Sequence, residues 1–261
     1  SMPGLQWWGD ICVRTDIENI KKIDTKSGKE SILVTLEEVN EALKNGEMPY
    51  KLTGHIKPLR TLMAASLPWG DRNVITFTQY DDRTPGQKYM IWYDFSKKKI
   101  VNLFNLQGEG PTNFDFCKEN GYMAYTIGND LYVAHEGDFS SMVNPKVTGN
   151  QQQEKDVVYG QAVHRNEFGI MKGTFWSPKG TYLAFYRMDQ SMVTDYPQVN
   201  TTARIAELVP DKYPMAGMTS HKVTVGIYNV KDGKTIYLQA GDPTDRYFTN
   251  ISWGPDEKSV F

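Results

Sequence analysis

Trp176-Ser177-Pro178-Lys179-Gly180-Thr181-Tyr182-Leu183-Ala184-Phe185 runs from an aromatic, through a Pro/Gly turn, into an apolar strand. The same phrase returns as Trp8-Gly9-Asp10, Trp69-Gly70-Asp71, Phe116-Cys117-Lys118 ahead of Gly121, and Trp253-Gly254-Pro255. Its spacing is irregular, about 47 to 77 residues, and each interval has room for roughly one four-stranded sheet and a loop. Strand-like runs fill those intervals: Ile11–Arg14, Val74–Phe77, Tyr89–Tyr93, Tyr122–Tyr125, Leu131–Ala134, Tyr182–Phe185 and Val223–Tyr228. Turn residues separate them, as at Glu119-Asn120-Gly121, Gly128-Asn129-Asp130 and Lys231-Asp232-Gly233. The pattern predicts an all-β chain of repeated sheets, each covering its apolar face with the next, which is a β-propeller. A β-sandwich with coincidental aromatics before its turns is the alternative. Trp253 to Phe261 supplies one turn and the start of a strand, so the count is about four blades plus the start of a fifth.

Composition agrees. The 261 residues hold 15 Tyr, 11 Phe and 6 Trp beside 22 Gly and 13 Pro, a balance of strand and turn formers. With 29 basic against 31 acidic side chains the net charge is −2, which lacks the basic surplus of a nucleic-acid binder. Mean hydropathy is −0.52, and no apolar run approaches the roughly 18 residues needed for a membrane span. Cys12 and Cys117 have neither metal nor redox spacing, and His55, His135, His164 and His221 are scattered. No metal and no cofactor is expected.

One short helix is predicted. Thr35 and Glu38 form a T-x-x-E capping box, Leu36, Val39 and Leu43 share a face, and Gly46 can end it. In an all-β chain this is a loop helix between blades. Thr148 to Asp156 is polar and Gln-rich and reads as a surface loop. Residues 190–217 form a long insertion carrying Pro197, Pro210 and Pro214.

Val157 to Ile170 (VVYGQAVHRNEFGI), followed by Gly173 to Gly180 (GTFWSPKG), resembles the N-terminal propeller of the dipeptidyl peptidase IV branch of the prolyl oligopeptidase family. Tyr182–Asp189 (YLAFYRMD), Met192–Pro197 (MVTDYP) and Tyr213–Gly217 (YPMAG) match as well. Weaker agreement covers Leu5–Asp24, Tyr125–Val133 and Asp242–Trp253. The resemblance implies an eight-bladed parent propeller joined to a C-terminal α/β-hydrolase domain with a Ser-Asp-His triad. Residues 1–261 would be the truncated N-terminal propeller, since no G-x-S-x-G nucleophile elbow occurs in them. The parent would be an exported enzyme, periplasmic or on the cell surface.

In that family a propeller carboxylate binds the free α-amine of the peptide substrate, so that cleavage falls two residues further on. The resemblance puts Glu167 in this role. Asn166 stands where the family motif has a second Glu, with Arg165 before it. Asn166 can offer an amide oxygen; Arg165 or His164 could instead pair with Glu167 and silence it. An Arg of an earlier blade holds a substrate carbonyl in the family, and Arg83 in Tyr80-Asp81-Asp82-Arg83-Thr84 falls near that position. A solvated turn is the other reading of Arg83. The 190–217 insertion falls where relatives carry an arm that helps form a homodimer. Read this way, the chain is the substrate-gating propeller of a serine dipeptidyl peptidase that releases Xaa-Pro or Xaa-Ala dipeptides. A non-catalytic propeller binding protein or glycan, and the propeller of an endopeptidase or acylaminoacyl-type relative, are the competing functions.

Overall fold

The computed structural model describes residues 5–8, 10–48, 52–66, 73–106, 110–135, 156–162, 172–192, 195–200, 207–212, 222–238 and 251–261, with 195–200 and 207–212 as backbone. The chain divides into two compact units, Ser1–Gly110 with His135–Val143, and Pro111–Ala134 with Asn144–Phe261.

The first unit opens with β1 (Leu5–Trp8), β2 (Ile11–Thr15), β3 (Asn19–Ile23) and β4 (Glu30–Thr35), paired antiparallel in chain order. Aspartates make its tight turns: Asp16 Oδ1 accepts the Glu18 and Asn19 N–H groups, and Asp24 Oδ1 those of Lys26 and Ser27. The predicted helix follows as α1 (Leu36–Asn45). Thr35 Oγ1 accepts the Glu38 N–H at 3.1 Å, and Glu38 Oε2 accepts the Thr35 N–H at 3.3 Å. Two otherwise orphaned N–H groups are thereby satisfied. Thr35→Ala is expected to cost about 1 kcal/mol, read as a lower midpoint of thermal unfolding.

The next sheet is β5 (Val74–Tyr80), β6 (Lys88–Asp94) and β7 (Lys99–Asn105). Val39, Ala42 and Leu43 of α1 share one buried cluster with Val13, Ile20 and Val34 of the first sheet and Ile75, Phe77, Ile91 and Leu103 of the second. The helix between these sheets in the chain therefore belongs to their common core. Leu59 and Leu62 join it, tied in by Asn40, whose amide exchanges both hydrogen bonds with the Leu59 backbone.

The second unit begins with β8 (Thr112–Cys117), β9 (Tyr122–Ile127) and β10 (Asp130–His135). A larger sheet follows: β11 (Val157–Tyr159), β12 (Thr174–Trp176), β13 (Tyr182–Asp189), β16 (Lys222–Asn229) and β17 (Thr235–Tyr237). Between β13 and β16 the chain forms a ribbon of its own, β14 (Asp195–Asn200) against β15 (Glu207–Lys212), with Pro197 opposite Pro210. The 190–217 insertion thus contains a hairpin. Every strand-like run read from the sequence lies within one of these strands. Among the described residues the four meander sheets have four, three, three and five strands.

The strand β13 is apolar on both faces because both are covered. Leu183 and Phe185 join Ala124, Leu131 and Val133 of the preceding sheet. Ala184, Tyr186 and Met188 join Val225, Ile227 and Ile251, with Trp253 and Val260 packed alongside. Period-two alternation sends neighbouring side chains to opposite faces, so the preceding sheet covers one face and the 251–260 segment the other.

The recurring aromatic has a specific job here. Trp176 Nε1 donates to the Asp115 carbonyl at 2.9 Å, and Trp253 Nε1 donates to the Phe175 carbonyl at 2.9 Å. Asp115 immediately precedes the Phe116 phrase and Phe175 the Trp176 phrase. Each indole therefore latches onto the start of the phrase one sheet earlier. The turns are joined too. Asn120 Nδ2 donates to the Gly180 carbonyl at 2.6 Å, while Glu257 accepts from Ser177 Oγ, the Lys179 N–H and Thr181 Oγ1.

Burial pushes the Glu257 carboxyl up, but hydrogen bonds from Ser177, Thr181 and the backbone outweigh it, and the group titrates below its ordinary 4.5. A carboxyl lowered by folding contributes stability above its unfolded value, and loses it as pH falls through the folded one. Glu257→Gln is expected to lower the unfolding midpoint at pH 7, with the difference from wild type closing as pH falls below about 4.5.

Candidate functional site

Arg83 sits in the turn from β5 to β6. Asp81, whose side chain is only 3% exposed, organises that turn. Its Oδ1 accepts the Arg83 and Thr84 N–H groups at 2.7 and 3.3 Å, and its two oxygens accept Arg83 Nε at 3.3 Å and Nη2 at 3.1 Å. The Arg83 guanidinium holds the Asp81 carboxyl below its ordinary range despite burial. Asp82, the second acid of the turn, lies 3.3 Å from His55 Nδ1. Arg83 is thus a half-exposed cation braced on a buried carboxylate, neither loose in solvent nor buried. Such bracing orients a planar guanidinium.

Arg165, Asn166 and Glu167 lie outside the described residues. What precedes and follows them is well defined. β11 and β12 pair with the same edge of β13: Val157–Tyr159 run along Asp189–Arg187, and Thr174–Trp176 along Phe185–Leu183. Tyr186 joins the two. Its carbonyl accepts the Gly160 N–H at 2.9 Å, and its N–H donates to the Gly173 carbonyl at 3.0 Å. One edge strand is split in two, and the chain that leaves it after Gly160 is back on it at Gly173.

The neck is closed by direct backbone contact. A Cβ on Gly173 would lie 2.1 Å from the Gln161 carbonyl oxygen, so no larger residue fits. Both sides of the neck are fastened to the β8–β10 sheet. Gln161 Nε2 donates to the Gly128 carbonyl at 2.8 Å, and the Tyr159 N–H to the Asn129 carbonyl at 2.9 Å. Across from them, Asp115 Oδ2 accepts from Lys172 Nζ at 3.2 Å and Thr174 Oγ1 at 2.8 Å. Sequence reasoning singled out none of Gln161, Asp115 or Lys172. The one available signal was the alternation of Lys172, Thr174 and Trp176, which places all three on one side of an extended chain.

The sequence of residues 70–261 matches the family model described as dipeptidyl peptidase IV (DPP IV) N-terminal region. The chain belongs to this family. A Bacteroides ovatus structure described as a dipeptidyl aminopeptidase IV is 46% identical, with a TM-score of 0.71 over 100% of this chain and 33% of its own. Porphyromonas gingivalis dipeptidyl peptidase 4 shares the fold at 20% identity, with a TM-score of 0.60 over 98% of this chain and 35% of its own. Among curated proteins, the "Probable dipeptidyl-aminopeptidase B" of Phaeosphaeria nodorum is 28% identical over 158 residues, and Saccharomyces cerevisiae dipeptidyl aminopeptidase B 24% identical over 141. The matched part is 17% of the length of either relative. The stacked meanders are accordingly part of a β-propeller, the N-terminal domain of a DPP IV-family protein.

Among the described residues no group of three or more His, Cys, Asp or Glu is placed to hold a metal ion. Cys12 and Cys117 are free and buried, and burial pushes the Cys117 thiol up.

Proposed function

We propose that this DPP IV N-terminal domain is the substrate-selecting propeller of an exported, periplasmic or cell-surface serine dipeptidyl peptidase that releases Xaa-Pro or Xaa-Ala dipeptides. Its partners are a C-terminal α/β-hydrolase domain carrying the Ser-Asp-His triad and a second copy of the protein, engaged through the 190–217 arm. Glu167 anchors the substrate α-amine, Asn166 and Arg165 border it, and Arg83 holds a substrate carbonyl. A protonated amine entering a partly desolvated cavity needs an opposite charge, and a fixed anchor sets how far the peptide can enter.

Beyond family membership, the observation that carries this reading is the closed neck at Gly160 and Gly173. Gly160 and Gly173 both bond to the backbone of Tyr186, so the two ends flanking the Glu167 segment are held at one point of the sheet edge. The test uses the full-length protein and a pair of Gly-Pro reporters, one with a free and one with an acetylated amine. Cleavage of the free form alone supports the proposal. Equal rates would make it an endopeptidase or acylaminoacyl-type relative, and no cleavage of either would leave a binding propeller.

A further inference from the structure

We infer that Asp81 is a positioning residue for the substrate, acting through Arg83; this rests on the reading of Arg83 above. The pair is one-sided, with the Asp81 side chain 3% exposed and that of Arg83 42% exposed. The Asp81 carboxylate accepts the Arg83 and Thr84 N–H groups, and also Arg83 Nε and Nη2. One buried acid thus sets both the backbone of residue 83 and the direction of its side chain. As a source of stability this is a poor arrangement. A half-exposed ion pair contributes little, whereas desolvating a carboxylate is costly. What the pair does give is direction. A guanidinium is a rigid planar fork, so fixing Nε and Nη2 fixes where its remaining N–H groups point.

The platform beneath Asp81 is fixed as well. Ile56 forms a β-bridge with Asp81, the Lys57 N–H donates to the Tyr80 carbonyl at 2.9 Å, and the Asp82 N–H to the His55 carbonyl at 2.8 Å. On the other side, the Asp81 N–H donates to the Gln87 carbonyl at 3.0 Å, and Gln87 Nε2 to Asn105 Oδ1 of β7 at 2.7 Å. The turn that carries Arg83 is therefore fastened to residues 55–57 on one side and to β7 on the other. An unbraced arginine would give up its rotamer freedom each time a substrate carbonyl arrived. Here that ordering is done on folding, which is the preorganisation a binding side chain needs.

The experiment uses the full-length protein, a free-amine Gly-Pro reporter, and the variants Asp81→Asn, Arg83→Lys, Arg83→Met, and Asp81→Asn with Arg83→Met. Asparagine keeps an Oδ1 acceptor for the Arg83 and Thr84 N–H groups but loses the charge that grips the guanidinium. Arg83→Lys, at an exposed side chain, keeps the charge and the fold without the fork. Asp81→Asn and Arg83→Lys are each expected to raise KM by about three- to tenfold with kcat unchanged, and Arg83→Met by at least as much. In the Arg83→Met background Asp81→Asn should have no further effect. Reaction with a small serine-reactive fluorophosphonate, which offers no peptide carbonyl to hold, should run equally fast in the wild type and Asp81→Asn. A wild-type KM in Asp81→Asn or Arg83→Lys, beside a large loss in Arg83→Met, overturns the role of Asp81 while sparing that of Arg83. Equal slowing of the fluorophosphonate reaction reduces Asp81 to a structural residue. Unchanged KM in Arg83→Met, or no cleavage by the wild type, removes the reading of Arg83 and this inference with it.

Discussion

If Glu167 anchors the substrate amine as proposed, Glu167→Gln in the full-length protein is expected to lower kcat/KM for a free-amine Gly-Pro reporter by about 30-fold or more. Truncating one member of a desolvated, hydrogen-bonded charge pair typically costs about 2–5 kcal/mol, and each 1.4 kcal/mol is tenfold. Glutamine keeps the size and one acceptor oxygen but not the charge, so the loss reports the electrostatic part of the grip. In the proposed role Glu167 would lie remote from the scissile bond and grip ground and transition states alike, which would put most of the effect in KM. A second signature follows from the substrate. Its α-amine loses its proton near pH 8, so wild-type kcat/KM should fall through that range as the ammonium disappears. The variant should lack that decline. Identical rates for the wild type and Glu167→Gln would make Glu167 an ordinary surface carboxylate.

Phe185→Ala is expected to cost about 3–5 kcal/mol. Phe185 is fully buried in β13, with ring neighbours Tyr159 at 6.4 Å and Tyr237 at 6.2 Å. Directly across the ladder stands Gly226, where a Cβ would lie 2.3 Å from the Phe185 ring. The ring occupies the space a side chain at 226 would fill. Its removal leaves a hole that Gly226 cannot help to close, which places the cost toward the upper end of that range. Gly226→Ala alone should also destabilise, by about 1–3 kcal/mol, because the buried ring has nowhere to go. In the Phe185→Ala background the same alanine should be neutral or stabilising. Thermal unfolding of the four proteins checks this. Additive losses would mean that the ring and the glycine do not share one space.

The β architecture was legible because the informative patterns are local. Aromatic and β-branched runs, bounded by Gly, Asn and Asp turns, gave strands wherever they occurred, and the Thr35–Glu38 box placed α1 within its own four residues. What escaped was whatever depends on distant pairing. β12 is three residues long and sits inside the lead-in to a turn, so nothing nearby distinguishes it. Its alignment with β11 on a common edge of β13 exists only in the folded ladder. The Trp of each phrase was visible as a marker, but its acceptor lies 61 or 78 residues away. The turn at Arg83 offered two readings, solvated loop or ligand site. Which acid braces the guanidinium depends on Asp81 being buried beneath it, and burial is not written in Tyr80-Asp81-Asp82-Arg83.

The indole latches also set an order in time. Each donor arrives later in the chain than the carbonyl it closes, so during synthesis the most recently completed sheet waits open for its fastening. At about 5–20 residues per second, translating the 61 or 78 intervening residues takes roughly 3–16 s. For the part of that interval after a sheet is complete, its apolar face lies uncovered, and it is there that a holding chaperone would find its grip.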